Sequence, residues 1–555
     1  MQVAELVGRA LAAYGTKKVF GVLGDGNMLF AASFEQLGIA YVAARREDGA
    51  ITMADGYART TGQRAVASVS YGPALTNGLT ALTEAVRARS PLVVITGEVA
   101  RSDTSNVQRL DQRELVQAVG ARYVSVGDAS QIPALLGHAC AEVEVDRVPI
   151  VVAVPFDVQL QEVGFPTTLS LPESVKPTRP HPDIAVIEEA AAILVKSRRV
   201  LVLAGGGAID GPAEAALARL ADRAGALLCT TLRARGLFHA HPFCIGVAGG
   251  YTTSLTRRLF KEADCVLSFG ASLNRFTTQN GSLFPNAIVV RCDVDEGAFS
   301  TARNSDVLIR GDAQLTAEAI ADALGSDAPR ASFRTSLQAS AIADNRHGEP
   351  FHDMSGPRGV DLRSALTILD AELPDERIVV VDTGHFTSDV CSYVRVSRPR
   401  DFVFSVNFGS VGLALGNAIG AAIGSPGLPV VAFVGDGGLM MSVLELDTAV
   451  RAHVPLMVVV CNDGGFGAEI HKYRMRGLPW EVATYENPDF ADVARSLGAE
   501  GHSVLTLDDL RGIDLDMATR DKPILLDIHV DPVRMSDWYE RIQRPKIVRE
   551  GQSPM

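Results

Sequence analysis

Two short turns constrain this chain more than any other feature. An apolar run, Val430 to Val434, ends in Gly435-Asp436-Gly437-Gly438, and a second, Leu456 to Cys461, ends in Asn462-Asp463-Gly464-Gly465-Phe466. Between them Leu439, Val443, Leu446 and Val450 recur at helical intervals, as one crossover helix of a βαβ unit requires. The runs are therefore expected as neighbouring parallel strands whose turns meet at the carboxyl edge of a sheet, where open α/β folds bind ligands. A hard cation such as Mg2+ takes an octahedron of oxygens and keeps phosphate oxygens in its shell. Asp436, Asp463 and a backbone carbonyl at Gly465 could supply three of the six. Gly-Asp-Gly alone is an ordinary βα turn; the pairing at this separation points to metal and phosphate.

Near the amino terminus, Arg45-Arg46-Glu47-Asp48-Gly49-Ala50 leads into Met53-Ala54-Asp55-Gly56-Tyr57-Ala58-Arg59. An acidic residue at a strand-to-helix junction is by default a solvated helix start. Behind Glu47, however, Ala50, Met53, Ala54, Tyr57 and Ala58 form a helix face of mostly small side chains, suited to close packing beneath a site.

The 555 residues exceed one core and fit about three domains. Alternating strand and helix patterns give an α/β class with three doubly wound parallel sheets. The boundaries read as 1–165, a proline-rich linker 166–183, 184–324, a polar linker 325–358, 359–532, and a charged peripheral tail 533–555. A net charge of −13 with no basic stripe argues against nucleic acid or an anionic membrane as partner. The seven cysteines are scattered without a CxxC pair, and Met1 to Tyr14 is an amphipathic helix with no secretory pattern. No uncharged apolar run reaches membrane-spanning length, so a cytoplasmic protein with free thiols is expected.

With both segments in view, the chain resembles the thiamine diphosphate (ThDP) enzymes of the acetolactate synthase and pyruvate decarboxylase group. Their signature is GDG, about two dozen residues, then NN; here the second Asn is Asp463, still a hard oxygen donor. The Glu47 stretch is similar to the family's "RHE…MA.GYAR", with Arg46 where relatives often have His. The resemblance implies that Glu47 activates the cofactor, and that Asp382-Thr383-Gly384-His385-Phe386 holds its diphosphate. Without the family, His385 is a turn histidine at even odds. By the same resemblance Gly409 offers a carbonyl to the aminopyrimidine and Val411 wedges between the cofactor rings. Gly435, Asp436, Gly437, Gly438, Asp463, Gly465 and Phe466 complete the cofactor site, and Asp436, Asp463 and Gly465 hold the metal.

The implied reaction is decarboxylation of a 2-oxo acid and transfer of the enamine to a second carbonyl. Gln108, within Val107-Gln108-Arg109-Leu110-Asp111-Gln112, resembles the glutamine of the acetolactate synthase FQExD segment, and the histidine pair of the non-ligating decarboxylases is absent from Ser102 to Gln112. Against this, Gly24-Asp25-Gly26-Asn27 resembles a decarboxylase turn, and Glu469 aligns with a decarboxylase glutamate. Asp25 weighs equally as a helix cap. The alternatives are therefore a non-ligating decarboxylase or other ThDP lyase or acyltransferase, and a catalytically silent ThDP-fold binding protein. The resemblance further implies a homodimer or homotetramer with active sites between subunits. It also leaves room for a non-redox FAD at Gly205-Gly206-Gly207 and Gly270-Ala271-Ser272 of the middle block.

Overall fold

The computed structural model describes residues 1–164, 179–209, 213–301, 305–325, 333–345 and 348–549. Most of the expected 166–183 linker lies outside these. Among the described residues eighteen strands form three six-stranded sheets in which every pair is parallel. The first holds β1 (Lys18–Gly21), β2 (Ala40–Ala43), β3 (Ala65–Val69), β4 (Leu92–Glu98), β5 (Arg122–Ser125) and β6 (Ile150–Pro155), in the order β2-β1-β3-β4-β6-β5. The second holds β7 (Val200–Ala204), β8 (Leu227–Thr230), β9 (Cys244–Val247), β10 (Cys265–Phe269), β11 (Ile288–Asp293) and β12 (Val307–Arg310), ordered β12-β11-β10-β7-β8-β9. The third holds β13 (Ile378–Val381), β14 (Phe402–Phe404), β15 (Val430–Gly435), β16 (Met457–Asn462), β17 (Glu500–Val504) and β18 (Ile524–His529), ordered β14-β13-β15-β16-β18-β17. The first and third sheets thus share one winding order. Central strands such as β3, β13 and β16 are buried along their whole length, as helices on both faces of a parallel sheet require.

β15 and β16 are neighbours, with Gly435 opposite Cys461, so the two acidic turns do share one sheet edge. The single crossover helix expected between them is broken into Asp436–Ser442 and Glu445–Arg451. The break makes Glu445 the first residue of a new helix, facing the first domain.

The first and third domains share one apolar core, which runs from Ala50, Met53 and Ala54 to Ala414, Leu415 and Ala418. The helices Glu47–Thr61 and Ala414–Gly424 pack backbone to backbone, and glycine makes this approach possible. A Cβ on Gly56 would stand 2.0 Å from the Asn417 carbonyl, and one on Gly420 1.8 Å from that of Met53. At their centre Asn417 Nδ2 donates to the Thr52 carbonyl at 2.8 Å and to Asp55 at 3.0 Å.

Two peripheral expectations change. Within 325–358 a helix, Ser336–Asp344, starts on a capping box of Thr335 and Gln338 and buries Ile342, with Phe333, in the middle domain's core. Beyond 532, Tyr539 is buried and Trp538 stacks on Tyr251 of the middle domain at 4.5 Å, so the start of that segment ties two domains together. Among the described residues no helix is long and apolar enough to cross a membrane.

Candidate active site

Asp436 begins a helix at the end of β15 and is buried. Its Oδ2 accepts the Gly465 N–H at 2.8 Å and Asn487 Nδ2 at 2.6 Å. The same Asn487 amide donates to Asn462 Oδ1 at 3.0 Å, so one side chain ties both turns together. Motif reasoning overlooked Asn487, because it lies on a loop far along the chain; its signal is Asn-Pro-Asp-Phe, 487–490, opening the helix Phe490–Ser496.

Asp463 is buried, and its Oδ2 lies 2.8 Å from His385 Nε2. Gly467 leaves room for that pair, since a Cβ there would stand 1.8 Å from Asp463 Oδ2 and 2.8 Å from His385 Nε2. His385 is wedged edge-on against His471, ring centroids 4.7 Å apart, and burial pushes His471 down to about 3, keeping it neutral. The Asp436 carboxyl is pushed up to about 7, first by burial and then by the Asp463 charge. Two buried carboxylates that repel each other at a sheet edge are the donor set a divalent cation neutralises. Among the described residues no three His, Cys, Asp or Glu side chains converge for a metal. What Gly465 shows directly is its N–H on Asp436.

Phe386 lies buried under Gly384 and Gly435, where a Cβ would approach its ring to 2.2 and 3.2 Å. Thr383 Oγ1 donates to the Ser410 carbonyl at 2.5 Å, and Asp382 Oδ2 accepts the Gly412 N–H at 2.9 Å. These bonds hold the Gly409–Gly412 loop beside the Asp436 turn, with Val411 against Gly438. Both end glycines need the left-handed region, Gly409 at φ +84° and Gly412 at φ +87°. Phe466 meets Tyr485 edge-on at 5.5 Å, the pair standing over Gly437.

Glu47 starts its helix half-buried and accepts a hydrogen bond from Asn77 at 3.2 Å within its own domain. Among the described residues no hydrogen bond joins it to Gly409, Val411 or the Asp436 turn. Gln108 sits half-buried in an irregular loop, its backbone carbonyl close over Gly72. The side chain that fastens this loop is instead Gln112, whose Oε1 accepts the Gly72 N–H at 2.9 Å. Asp25 is exposed and does not cap the next helix; the N-cap there is Asn27. Glu469 is exposed and paired with Lys472 at 2.8 Å. In the middle domain the glycine turns close on each other, Gly205 and Gly207 donating their N–H to the Phe269 and Gly270 carbonyls. A flavin at that edge would need other donors.

Residues 1–118, 187–320 and 382–528 match the family models of the thiamine pyrophosphate enzyme N-terminal TPP binding, central and C-terminal TPP binding domains. The chain is 28% identical to sulfoacetaldehyde acetyltransferase of Alcaligenes xylosoxydans xylosoxydans, covering 97% of each chain. It is 27% identical to the acetolactate synthase isozyme 2 large subunit of Escherichia coli, covering 96% of each. It is 30% identical to a probable 2-ketoarginine decarboxylase of Pseudomonas aeruginosa, over 90% of this chain and 89% of that one. With three domain matches in order and relatives along nearly its whole length, the chain belongs to the thiamine pyrophosphate enzyme family, as an acetolactate synthase-like member.

Proposed function

We propose that this protein uses ThDP and Mg2+ to decarboxylate a small 2-oxo acid and join the remaining fragment to a second carbonyl compound. The observation that carries the cofactor part is the juxtaposition of buried Asp436 and Asp463 beside the Gly409–Gly412 loop. When bound, ThDP supplies a thiazolium carbon that adds to a carbonyl and takes up the electrons released as CO2 leaves. Asp436 and Asp463 would bind the cation, His385 orients the Asp463 carboxylate, and Thr383 fixes the loop that carries Val411. Glu47 would hold a proton at its carboxyl for a ring nitrogen of the pyrimidine, general acid–base help worth about 10²–10⁴-fold.

Joining is favoured over aldehyde release by Gln108 and by the absence of histidine from Ser102 to Gln112. Self-association is supported by apolar side chains left in solvent near the site: Phe408, Met440, Met441 and Leu444 on the third domain, Val107 on the first. Seven free cysteines, six of them buried, support a reducing cytoplasm. The test is product analysis on pyruvate, 2-oxobutyrate and benzoylformate with ThDP and Mg2+. A 2-hydroxy-3-oxo acid from a pair of carbonyls is expected; aldehyde alone from every substrate would replace this reading with a decarboxylase.

A further inference from the structure

Two carboxylates outside the cofactor motifs are buried at the boundary of the first and third domains, and each is spent on backbone N–H groups of the other domain. Glu84, on the helix Leu79–Ala88 of the first domain, is 0% exposed. Its Oε1 accepts the Asn407 N–H at 3.2 Å and Asn407 Nδ2 at 2.7 Å, and its Oε2 accepts the Phe408 N–H at 2.7 Å. The next residue is Gly409. Glu445, the first residue of its helix in the third domain, is 2% exposed. Its Oε1 accepts the Arg45 and Arg46 N–H groups at 3.1 and 2.9 Å, and its Oε2 accepts Thr448 Oγ1 at 2.7 Å. The residue after Arg46 is Glu47.

A buried carboxylate is expensive unless its lone pairs are filled, and hydrogen bonds to a charged acceptor are roughly twice as strong as neutral ones. Arg59, 3.6 Å from Glu84, is the nearby cation on one side; no basic side chain bonds Glu445 among the described residues. Glycine again makes the approach possible, because a Cβ on Gly49 would stand 2.1 Å from Glu445 Oε1. The acceptors therefore fix two segments that are themselves exposed: Phe408 is half-exposed, and Arg45 and Arg46 face solvent.

We propose that Glu84 and Glu445 are reciprocal positioning residues, each domain using one buried carboxylate to set the other's cofactor-facing segment: Glu84 for Gly409–Val411, Glu445 for Glu47. The roles of Gly409, Val411 and Glu47 rest on the ThDP reading above; the reciprocal clamp itself does not. Glutamine at either place keeps the size but replaces one acceptor oxygen with a donor. At Glu84 each oxygen faces a backbone N–H, and at Glu445 Oε2 also lies 3.2 Å from the Arg45 N–H, so either orientation of the amide gives up a backbone bond. The segment it held is then released while the shared core stays packed.

The test is backbone hydrogen exchange on the cofactor-free, full-length chain. In the wild type, amides 407, 408, 45 and 46 should be protected in spite of their exposed surroundings. Glu84→Gln should speed exchange at 405–412 and leave 43–48 unchanged; Glu445→Gln should do the reverse. Should either variant fail to fold, the matching Glu→Asp variant, which keeps the charge at shorter reach, carries the same readout. In the loaded enzyme kcat should fall by about 10- to 100-fold with KM within about twofold, the pattern of misplaced reacting groups. Unprotected amides in the wild type, or equal loosening of 47–61 and 414–424 in both variants, would reduce the pair to ordinary interface carboxylates. A wild type that exchanges as expected but turns over no 2-oxo acid would overturn the 2-oxo acid reading proposed above and leave the clamp standing.

Discussion

At the scale of single residues, the site is a set of buried oxygens with more negative charge than the protein itself neutralises. Among the described residues Asn487 is the one neutral side chain bonded to both acidic turns. Removing a group that orients a metal ligand typically weakens metal binding 10- to 100-fold. Asn487→Ala should therefore raise the Mg2+ concentration needed for half-maximal ThDP binding by at least about tenfold. Unchanged metal dependence, read by titration calorimetry, would make Asn487 a loop anchor only. Asp382 gives a pH test. Its carboxyl stands at about 7 instead of 3.8, chiefly through burial, with the Gly412 N–H pulling the other way. The fold thus binds that proton more tightly than the unfolded chain does, and ionising it lowers stability. The penalty is absent below the unfolded value, grows between 3.8 and about 7, and is complete above. Asp382→Asn, which can still accept from Gly412, should gain stability relative to wild type from pH 5 to pH 8, by on the order of a few kcal/mol at most. A pH-independent difference between the two cofactor-free proteins would contradict the assignment.

At the scale of elements, the contact between the helices Glu47–Thr61 and Ala414–Gly424 holds the first and third domains together. Gly420→Ala places a methyl 1.8 Å from the Met53 carbonyl, which neither helix can yield without separating. Overpacking of this kind costs about 1–3 kcal/mol or more. A clear drop in the unfolding midpoint is expected, whereas Gly356→Ala, with nothing near its Cβ, should be silent. Equal midpoints would mean the two helices can part enough to admit a methyl group and do not depend on this close approach. Much of this level is legible in sequence: the β15 and β16 runs, their acidic turns and the small-residue face behind Glu47 are local patterns of period and composition. Glu84, Glu445 and Asn487 are not. Glu84 and Glu445 act on backbone, and Asn487 on the side chains of Asp436 and Asn462, each from a distant part of the chain. A lone Glu or Asn on a helix or loop looks like any solvated residue. The helix Ser336–Asp344 escaped because its face is weakly apolar, although Thr335 and Gln338 spell a capping box. Asp25 looked like a helix cap because it stands three residues before one, yet Asn27 takes that place, accepting from the Gly24 N–H and donating to Ser68 Oγ.

At the scale of the molecule, the first and third sheets wind alike and their domains share one core through the helices Glu47–Thr61 and Ala414–Gly424, while the middle domain is pinned through Trp538 and Tyr251. The cofactor motifs are divided between the two similar domains, and Glu47 bonds Asn77 within its own domain. Apolar side chains beside both halves are left in solvent. A two-fold pair of chains would then build each site from Glu47 of one copy and Asp436 of the other. The measurement that tests this most directly mixes two inactive variants, Glu47→Gln and Asp436→Ala, by coexpression. A mixed pair carries both defects in one site and neither in the other, so random pairing in a two-fold dimer should restore about a quarter of the wild-type sites. Recovery of activity near that level is the expected result; no recovery from a verified mixed dimer would place Glu47 and Asp436 of each working site on the same chain.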